Sequence, residues 1–329
     1  AQAGGAAWLA TAFVEEALAL RRGGVGGRVL SWLGCPGEAW GEAIVADVDL
    51  SASAVWAVDE IAAAARDVGR PARVHLKVDT GLGRAGATGQ DWPAVVDAAL
   101  KAQADGPVVV VGLWSHFAYA DAPGHPTIAR QVAAFRAAVA YAERAGARPE
   151  VRHLANSAAT LTLPAAHFDL VRPGISVYGL SPGPDVGDAA GLGLRPAMTL
   201  AGRLALVKRV PAGHGVSYGH EYVTRRQTTL GLVPMGYADG IHRHATNVGP
   251  VLAAGRRRTI AGRVCMDQFV LDLGDDPAQA GDEVLLFGPG EHGEPTAQDW
   301  ASALDTISYE IVSRVGPRVP RTYVGGSGS

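Results

Sequence analysis

The feature that most constrains this sequence is a regular alternation of short apolar runs with alanine-rich helical stretches over its first half. Helical periodicity is clearest at Val14–Arg22, Ala54–Val68, Trp92–Ala104 and Ile128–Ala145. Strands and helices that alternate at this rhythm predict β/α units and a parallel sheet. The predicted strands are Trp8–Ala12, Val29–Leu33, Asp47–Ser51, Arg73–Asp79, Val108–His116, Val151–Asn156 and Leu170–Tyr178.

The length of this region favours one α/β architecture over another. A (β/α)8 TIM-type barrel takes about 250 residues, whereas the last of these strands ends near Gly179. We therefore expect a barrel whose first β/α unit is missing from the sequence that begins at Ala1. An open doubly wound sheet is the alternative, but no glycine-rich dinucleotide loop follows an early strand.

The pattern of residue types changes after about residue 193. β-branched runs separated by Gly, Pro and Asp turns replace the helical pattern, which returns only at Ala297–Leu304. We predict two domains, a barrel over residues 1–193 and a mostly antiparallel β domain over 194–329, with a flexible tail at Gly325–Ser329. The β runs are Thr199–Val210, Thr228–Pro234, Thr259–Leu273 and Glu283–Phe287.

Composition excludes several classes of protein. The net charge is −3 and the basic residues are scattered, which argues against a nucleic-acid partner. No apolar run approaches the ~20 residues of a membrane span, and nothing at the start resembles a secretory signal. Cys35 and Cys265 form no CxxC pair, as expected of unpaired thiols in a reducing compartment, and predict a cytoplasmic protein. No metal-binding spacing is present.

Polar residues cluster where the predicted strands end. In a (β/α) barrel these ends carry the active site. They fall in Lys77–Arg84, Ser115–Phe117, His153–Ser157 and Val171–Gly179. Ser157 before a helix, with the backbone N–H groups of Gly174 and Ile175, could surround a phosphate, although an ordinary helix cap and tight turn would explain the same residues.

Three glycine-rich loops stand out in the second half. Residues 213–219 bracket Tyr218 with glycine, and residues 234–240, which include Tyr237, and residues 262–268 are similarly compact and polar. One such tyrosine is usually only a turn residue. Three compact polar loops in one β domain indicate a surface that is presented to a ligand or partner.

These motifs resemble those of bacterial alanine racemases, which are fold type III enzymes dependent on pyridoxal phosphate (PLP). The resemblance rests on eight motifs in family order and at family-like spacing, from residue 77 almost to the tail. They are KVDTGLGR (77–84), SHFA (115–118), HLANSA (153–158), RPGI (172–175), GVSYG (215–219), GYADG (236–240), CMDQ (265–268) and ISYE (307–310).

The resemblance implies a PLP enzyme that interconverts L-alanine and D-alanine, supplying D-alanine for peptidoglycan. Tyr218 matches the catalytic tyrosine that exchanges the α-proton on one face, and Arg172 matches the arginine at the pyridine nitrogen. His116 and His153 match groups around the ring and that tyrosine. The implied phosphate contacts are Ser157, Gly174, Ile175 and Tyr309.

The resemblance also assigns substrate contacts and a homodimer. Arg84 matches the residue that meets the cofactor's phenolic oxygen and the substrate carboxylate, and Lys77 matches a lysine, often carbamylated, that steadies that arginine. Met266, with Asp267 beside it in a supporting position, matches a backbone contact to the carboxylate. Tyr237 matches the narrow entrance. In the family, the tyrosine base and this methionine come from the partner subunit.

Physical chemistry supports two of these roles. Arg172 cannot readily protonate the ring nitrogen, so the cofactor becomes a weaker electron sink and the carbanion is reprotonated rather than diverted to transamination. A tyrosine, whose ordinary pKa is about 10, acts as a base only if its phenolate is stabilised. His153, and through it Arg172, is the candidate for stabilising Tyr218.

One family element is absent from the sequence. The lysine that links PLP covalently, and that also serves as the second base, lies in a motif like VKANAYGHG at the end of the first barrel strand; Lys101 and Lys208 do not lie in such a motif. We expect it upstream of Ala1, in the missing β/α unit. A serine or broad-spectrum racemase and a non-catalytic PLP-fold relative remain alternatives.

Overall fold

The computed structural model describes residues 1–325 and divides into two compact units, Ala1–Val177 and the residues from Tyr178 onward. The predicted tail at Gly325–Ser329 lies outside the described residues except for Gly325. The strands of the second unit begin at Leu200, shortly after the change in the pattern of residue types. The domain boundary at residues 193 and 194 stays a prediction.

The first unit is built on one parallel sheet of seven strands, and six helices alternate with them. The strands pair in chain order, from the first to the seventh. The strands are β1 (Trp8–Thr11), β2 (Arg28–Ser31), β3 (Val48–Ala52), β4 (Ala72–Lys77), β5 (Val108–Trp114), β6 (Val151–Asn156) and β7 (Leu170–Arg172). The helices are α1 (Val14–Arg22), α2 (Trp40–Val45), α3 (Val55–Asp67), α4 (Trp92–Ala104), α5 (Pro126–Ala145) and α6 (Ser157–Thr162).

This strand order confirms the TIM-type barrel and rules out the doubly wound alternative. Right-handed crossovers between consecutive neighbours put every helix on the same face, whereas a doubly wound sheet reverses its order partway. The sheet also curls. The ring of Trp8 on β1 lies 5.3 Å from that of His75 on β4, although a flat sheet would hold those strands about 14 Å apart.

Local chemistry explains where the elements begin and end. Helix α5 starts at Pro126, which needs no hydrogen-bond partner for its nitrogen, and His125 Nδ1 accepts the N–H of Thr127 at 3.2 Å. The helix ends at Gly146, whose φ of 115° is left-handed. The short helix α2 was not predicted, because six residues are too few to display a helical period.

Two predicted strands run too far. The seventh was predicted to continue to Tyr178, but β7 ends at Arg172, and residues 175–178 form a 3-10 turn. Pro173 and Gly174 stop the strand, since proline has no N–H to donate to a ladder. The run Thr259–Leu273 contains a loop, and its strand begins only at Phe269.

The second unit is mostly antiparallel β structure, as predicted. Its strands are β8 (Leu200–Arg203), β9 (Leu206–Val210), β10 (Gly215–Val216), β11 (Tyr222–Val223), β12 (Thr228–Val233), β13 (Pro250–Ala253), β14 (Arg256–Thr259), β15 (Phe269–Gly274) and β16 (Glu283–Phe287). They form the sheets β15–β12–β9 and β14–β13–β16–β8 and the pair β10–β11. Two helices follow, α7 (Ala297–Ala303) and α8 (Ser308–Ser313). Within residues 1–325, no helix is both long enough and apolar enough to cross a membrane.

Candidate active site

Strand β4 carries three basic side chains on one face. Arg73, His75 and Lys77 alternate with apolar residues along the strand, and residues two apart in a strand point the same way. His75 is fully buried and Lys77 is 3% exposed. Only Lys77 was identified from the sequence. Arg73 and His75 could have been identified from the sequence, because they are polar residues that alternate with apolar ones along a predicted strand.

Arg172, at the end of β7, is held by groups from two other strand ends. Its Nη1 donates to His153 Nδ1 at 2.9 Å. Its Nη2 lies 2.8 Å from the carbonyl oxygen of Ser115, 3.1 Å from that of Leu154 and 3.3 Å from His116 Nδ1. The Nε–H makes no hydrogen bond to any of the described residues, so one edge of the guanidinium is left for a ligand.

The two predicted histidines are both neutral at physiological pH. Burial, followed by the charge of Arg172, lowers the pKa of His116 to about 3 and that of His153 well below its usual range. His153 uses both ring nitrogens, because Nε2 lies 3.0 Å from His75 Nδ1. His153 therefore has no free ring nitrogen with which to bond the Tyr218 phenolate, contrary to the expectation from the sequence.

Lys77 lies in an aromatic and cationic environment at the end of β4. Its Nζ is 4.0 Å from the ring centroid of Trp114, and the guanidinium of Arg172 lies 4.9 Å from the same centroid. Burial, with the charges of Arg84 and Arg172, lowers the pKa of Lys77 to about 8. A substantial fraction of Lys77 is therefore a neutral, nucleophilic amine near physiological pH.

This end of the barrel holds more positive than negative charge. Lys77, Arg84 and Arg172 are close enough to affect one another electrostatically, and none of them forms an ion pair within residues 1–325. The nearby carboxylate of Asp79 instead accepts backbone N–H groups of the loop that follows, including that of Gly81 at 2.9 Å. Unbalanced cations in a partly buried site favour an anionic ligand.

The predicted phosphate contacts converge in part. The N–H of Gly174 donates to Ser157 Oγ at 2.8 Å, so the ends of β6 and β7 meet there. Asn156 caps α6 by accepting the N–H of Ala159 at 3.1 Å. Ser157 and Ile175 are buried, whereas a side chain at Gly174 would meet no heavy atom within 4 Å. Space therefore remains beside the hydroxyl and the N–H groups.

In the second unit, the three glycine-rich loops are hydrogen-bonded to one another. Ser217 Oγ donates to the carbonyl oxygen of Arg263 at 2.7 Å, which joins loop 213–219 to loop 262–268. The N–H of Tyr237 donates to the carbonyl oxygen of Cys265 at 3.0 Å. Gly236 is required here, because a Cβ would lie 2.3 Å from that oxygen. The structure thus assembles one surface from loops that are distant in sequence.

The predicted residues of this unit are exposed on that surface or near it. Tyr218 is 71% exposed, Met266 53% and Tyr237 42%. Tyr309 is 38% exposed, and Asp267 forms an ion pair with Arg318 at 2.8 Å. Large side chains this exposed are typical of a surface that another molecule covers.

The residue before Tyr218 has an unusual backbone conformation. Ser217 has φ 60° and ψ −171°, a region that essentially only glycine adopts and that costs of order 1–3 kcal/mol for other residues. Such strain persists only where surrounding contacts impose it, and here the bond to Arg263 does so. Sequence reasoning gave Ser217 no role, since strain depends on backbone angles that the motif does not display.

Metal chemistry finds no support in the side-chain geometry. Across residues 1–325, no three His, Cys, Asp or Glu side chains converge to hold an ion. Both cysteines are free, with Cys35 exposed and Cys265 partly buried.

Both units of the chain are similar to known proteins. The sequence model described as "Alanine racemase, N-terminal domain" matches residues 1–182, and "Alanine racemase, C-terminal domain" matches residues 197–323. Among curated proteins, an alanine racemase from Frankia casuarinae is 69% identical over 321 residues, which cover 98% of this chain and 84% of the relative. One from Streptomyces coelicolor is 62% identical, with 98% and 84% covered.

Solved structures give the same result. The crystal structure of an alanine racemase from D-cycloserine-producing Streptomyces lavendulae matches with a TM-score of 0.98 and 62% identity, covering 99% of this chain and 85% of that one. The alanine racemase structure from Streptomyces coelicolor A3(2) matches with a TM-score of 0.97 and 61% identity, covering 99% and 86%. Both similarities extend over the two units.

Proposed function

Because the chain belongs to the alanine racemase family, we propose that it interconverts L-alanine and D-alanine by a two-base mechanism with PLP as its cofactor. The observation that carries the proposal is Arg172: a buried guanidinium fixed by neutral imidazoles and carbonyl oxygens, with its Nε–H left unbonded among the described residues. D-Alanine for peptidoglycan is the product that we propose the cell uses.

The donor set fits PLP. Ser157 offers its hydroxyl and Ile175 its backbone N–H to a phosphate, and the N–H of Gly174, which donates to Ser157 Oγ, lies beside them. The excess of cations at the same barrel end suits the negative charge of the phosphate. We assign a further phosphate contact to Tyr309, on the family pattern. When bound, PLP acts as the electron sink that makes the α-proton of an amino acid acidic.

Arg172 limits that electron sink. Burial lowers its pKa to about 9, which still leaves the guanidinium charged at neutral pH. A charged guanidinium can donate to a ring nitrogen but cannot deliver a full proton to it. This favours return of the α-proton over transamination.

Arg84 binds the carboxylate of the substrate in this proposal, and Lys77 steadies Arg84. The lowered pKa of Lys77 supplies the neutral amine that reacts with carbon dioxide, and the resulting carbamate would replace a cation with an anion beside Arg84. Carbamate formation would therefore turn the repulsion between Lys77 and Arg84 into an attraction. Met266 completes the carboxylate contact, with Asp267 beside it in a supporting position, and Tyr237 restricts the entrance.

Tyr218 is the base for one face of the α-carbon. Its phenolate takes the α-proton from one enantiomer, and in the reverse reaction its hydroxyl returns a proton to the same face. Of the two imidazoles that contact Arg172, only His116 has a ring nitrogen, Nε2, without a partner in the described part of the chain. His116 is therefore a better candidate than His153 for stabilising the phenolate.

Replacing the tyrosine hydroxyl tests this function. Tyr218→Phe in the intact protein with PLP should keep cofactor binding and lower kcat by at least about 10²-fold, as expected for loss of a general base. Exchange of the α-proton with deuterium should persist for one enantiomer and nearly vanish for the other. Tyr323→Phe is the matched control and should retain both exchanges, because Tyr323 is 89% exposed and lies outside the predicted site. Near wild-type racemisation by Tyr218→Phe would contradict the two-base assignment.

Two alternatives differ in measurable ways. A broad-spectrum or serine racemase would turn over L-serine at a rate comparable with that of L-alanine. A non-catalytic relative would bind PLP and racemise neither amino acid. Both assays use the same protein and cofactor as the Tyr218 experiment.

We further propose a homodimer in the cytoplasm. The exposed side chains of Tyr218 and Met266 suit a surface completed by the partner subunit, on the family pattern. The two free cysteines suit a reducing compartment.

A further inference from the structure

A chain of hydrogen bonds runs through the interior of the barrel from Arg172 to Asp49. Arg172 Nη1 lies 2.9 Å from His153 Nδ1, and His153 Nε2 lies 3.0 Å from His75 Nδ1. His75 Nε2 lies 3.3 Å from Asp49 Oδ2. Asp49, His75 and His153 are each fully buried, so water does not compete for these bonds.

The chemistry at the Arg172 end fixes the direction of every bond. A guanidinium only donates, so His153 Nδ1 must accept and its proton must lie on Nε2. His153 then donates to His75 Nδ1, which places the proton of His75 on Nε2 as well. That proton faces the carboxylate of Asp49. Both imidazoles are therefore held neutral as Nε2–H tautomers.

The far end of the chain supports the same polarity. Arg73 Nε donates to the other oxygen of Asp49 at 2.9 Å, and Arg28 lies 3.9 Å from it. The two Nη atoms of Arg73 donate to Glu150 at 2.8 and 2.7 Å. Asp49 thus accepts on both oxygens and has to be a carboxylate.

The backbone also leaves space for this arrangement. Gly112 on β5 lies between the strands of His75 and His153, and a Cβ there would come within 2.0 Å of His75 Nδ1. The ring of His75 passes over a residue that has no side chain. A histidine that only filled the core would not need donors and acceptors matched along four successive groups.

We propose that His75 and Asp49 are positioning residues for the racemase reaction, fixing the tautomer of His153 so that Arg172 is presented to the cofactor in one orientation. This inference rests on the proposed function, because it assumes that Arg172 serves the cofactor. His75 and Asp49 act through His153 and do not touch the substrate.

Asp49→Asn tests the direction of the chain. An asparagine has one acceptor and one donor group. With its oxygen toward Arg73, its amide N–H faces His75 Nε2, which reverses both tautomers and sets an Nδ1–H of His153 against the Nη1–H of Arg172. With the oxygen toward His75, the amide N–H instead faces the Nε–H of Arg73. Neither orientation satisfies the chain.

Nuclear magnetic resonance measures the tautomers of the two imidazoles directly. In protein labelled with 15N-histidine and assigned with single His75→Gln and His153→Gln variants, two-bond 15N–1H correlations should show Nε2–H for both rings at neutral pH. Asp49→Asn should abolish that single pattern and lower kcat for alanine at least about tenfold, as loss of an orienting partner does. The matched control is Asp47→Asn. The side chain of Asp47 is 59% exposed, and its ion pair with Arg28, at 3.7 Å, is not part of the chain of bonds.

The outcomes separate this inference from the proposed function. An Nδ1–H tautomer or a charged ring at His153 in the wild type would overturn the inference without any variant having to fold. Asp49→Asn with the wild-type pattern and kcat within twofold would also overturn it. A wild-type protein that shows both Nε2–H tautomers but racemises no alanine would contradict the proposed function while leaving the hydrogen-bond direction intact.

Discussion

Gly112→Ala should be far more damaging than a one-methyl change in a strand normally is. The added Cβ would lie 2.0 Å from Nδ1 of His75 and 2.6 Å from its Cγ and Cε1, where ordinary contacts are about 3.5 Å or more. The ring would have to move by about 1.5 Å. It cannot move freely, because the rings of Trp8 and His153 pack against it at 5.3 and 5.2 Å between centroids.

The size of the effect follows from two terms. Overpacking a close-packed interior costs about 1–3 kcal/mol, and losing the hydrogen bond of His75 to the Asp49 carboxylate costs about 1.5–3 kcal/mol. We expect Gly112→Ala to lower the free energy of unfolding by about 3–5 kcal/mol. For a unit of this size, that lowers Tm by roughly 10 °C.

Thermal unfolding of Gly112→Ala, Gly89→Ala and the wild type measures this effect. Gly89 is the matched control, since a Cβ there meets no heavy atom within 4 Å. In a His75→Ala background, Gly112→Ala should cost little, because the clashing ring is gone. A Tm within about 2 °C of the wild type, or an equal loss in both backgrounds, would refute the steric argument.

Two further predictions concern Ser217 and Lys77. Ser217→Ala should lower the free energy of unfolding by about 1 kcal/mol through loss of the hydrogen bond to Arg263, and Ser217→Gly should lower it less because glycine adopts φ 60° without strain; urea denaturation giving the opposite order would contradict this. Lys77 has a pKa of about 8 when folded and 10.5 when unfolded, so between these values the unfolded chain binds more protons and stability rises with pH. In CO2-free buffer the wild type should gain stability over this range relative to Lys77→Met, and parallel pH profiles would exclude the shift.

The order of strands and helices could be predicted from the sequence because it depends on local periodicity. The apolar runs of the first half were long and regular enough to indicate seven parallel strands, all of which the structure contains. The extension of the seventh strand past Arg172 was wrong, since hydrophobicity was followed through Pro173 and Gly174. Backbone hydrogen bonding, which proline cannot continue, decided that boundary.

The site was predictable only in part. Strand ends gave Lys77, His116, His153 and Arg172, because the carboxyl ends of parallel strands share one edge of a barrel. Asp49 was not found, since a single carboxylate in an apolar strand gives no local sign of its partner.

What the sequence alone determined is which chemical groups lie at the strand ends and in the glycine-rich loops, and hence the family. The tertiary structure decided which of them meet. Asp49, His75 and His153 come from three different strands, and only the register and curl of the sheet bring them into one chain of bonds. Register and curl arise from packing across the whole barrel, whereas periodicity along one strand specifies only the face on which a side chain lies.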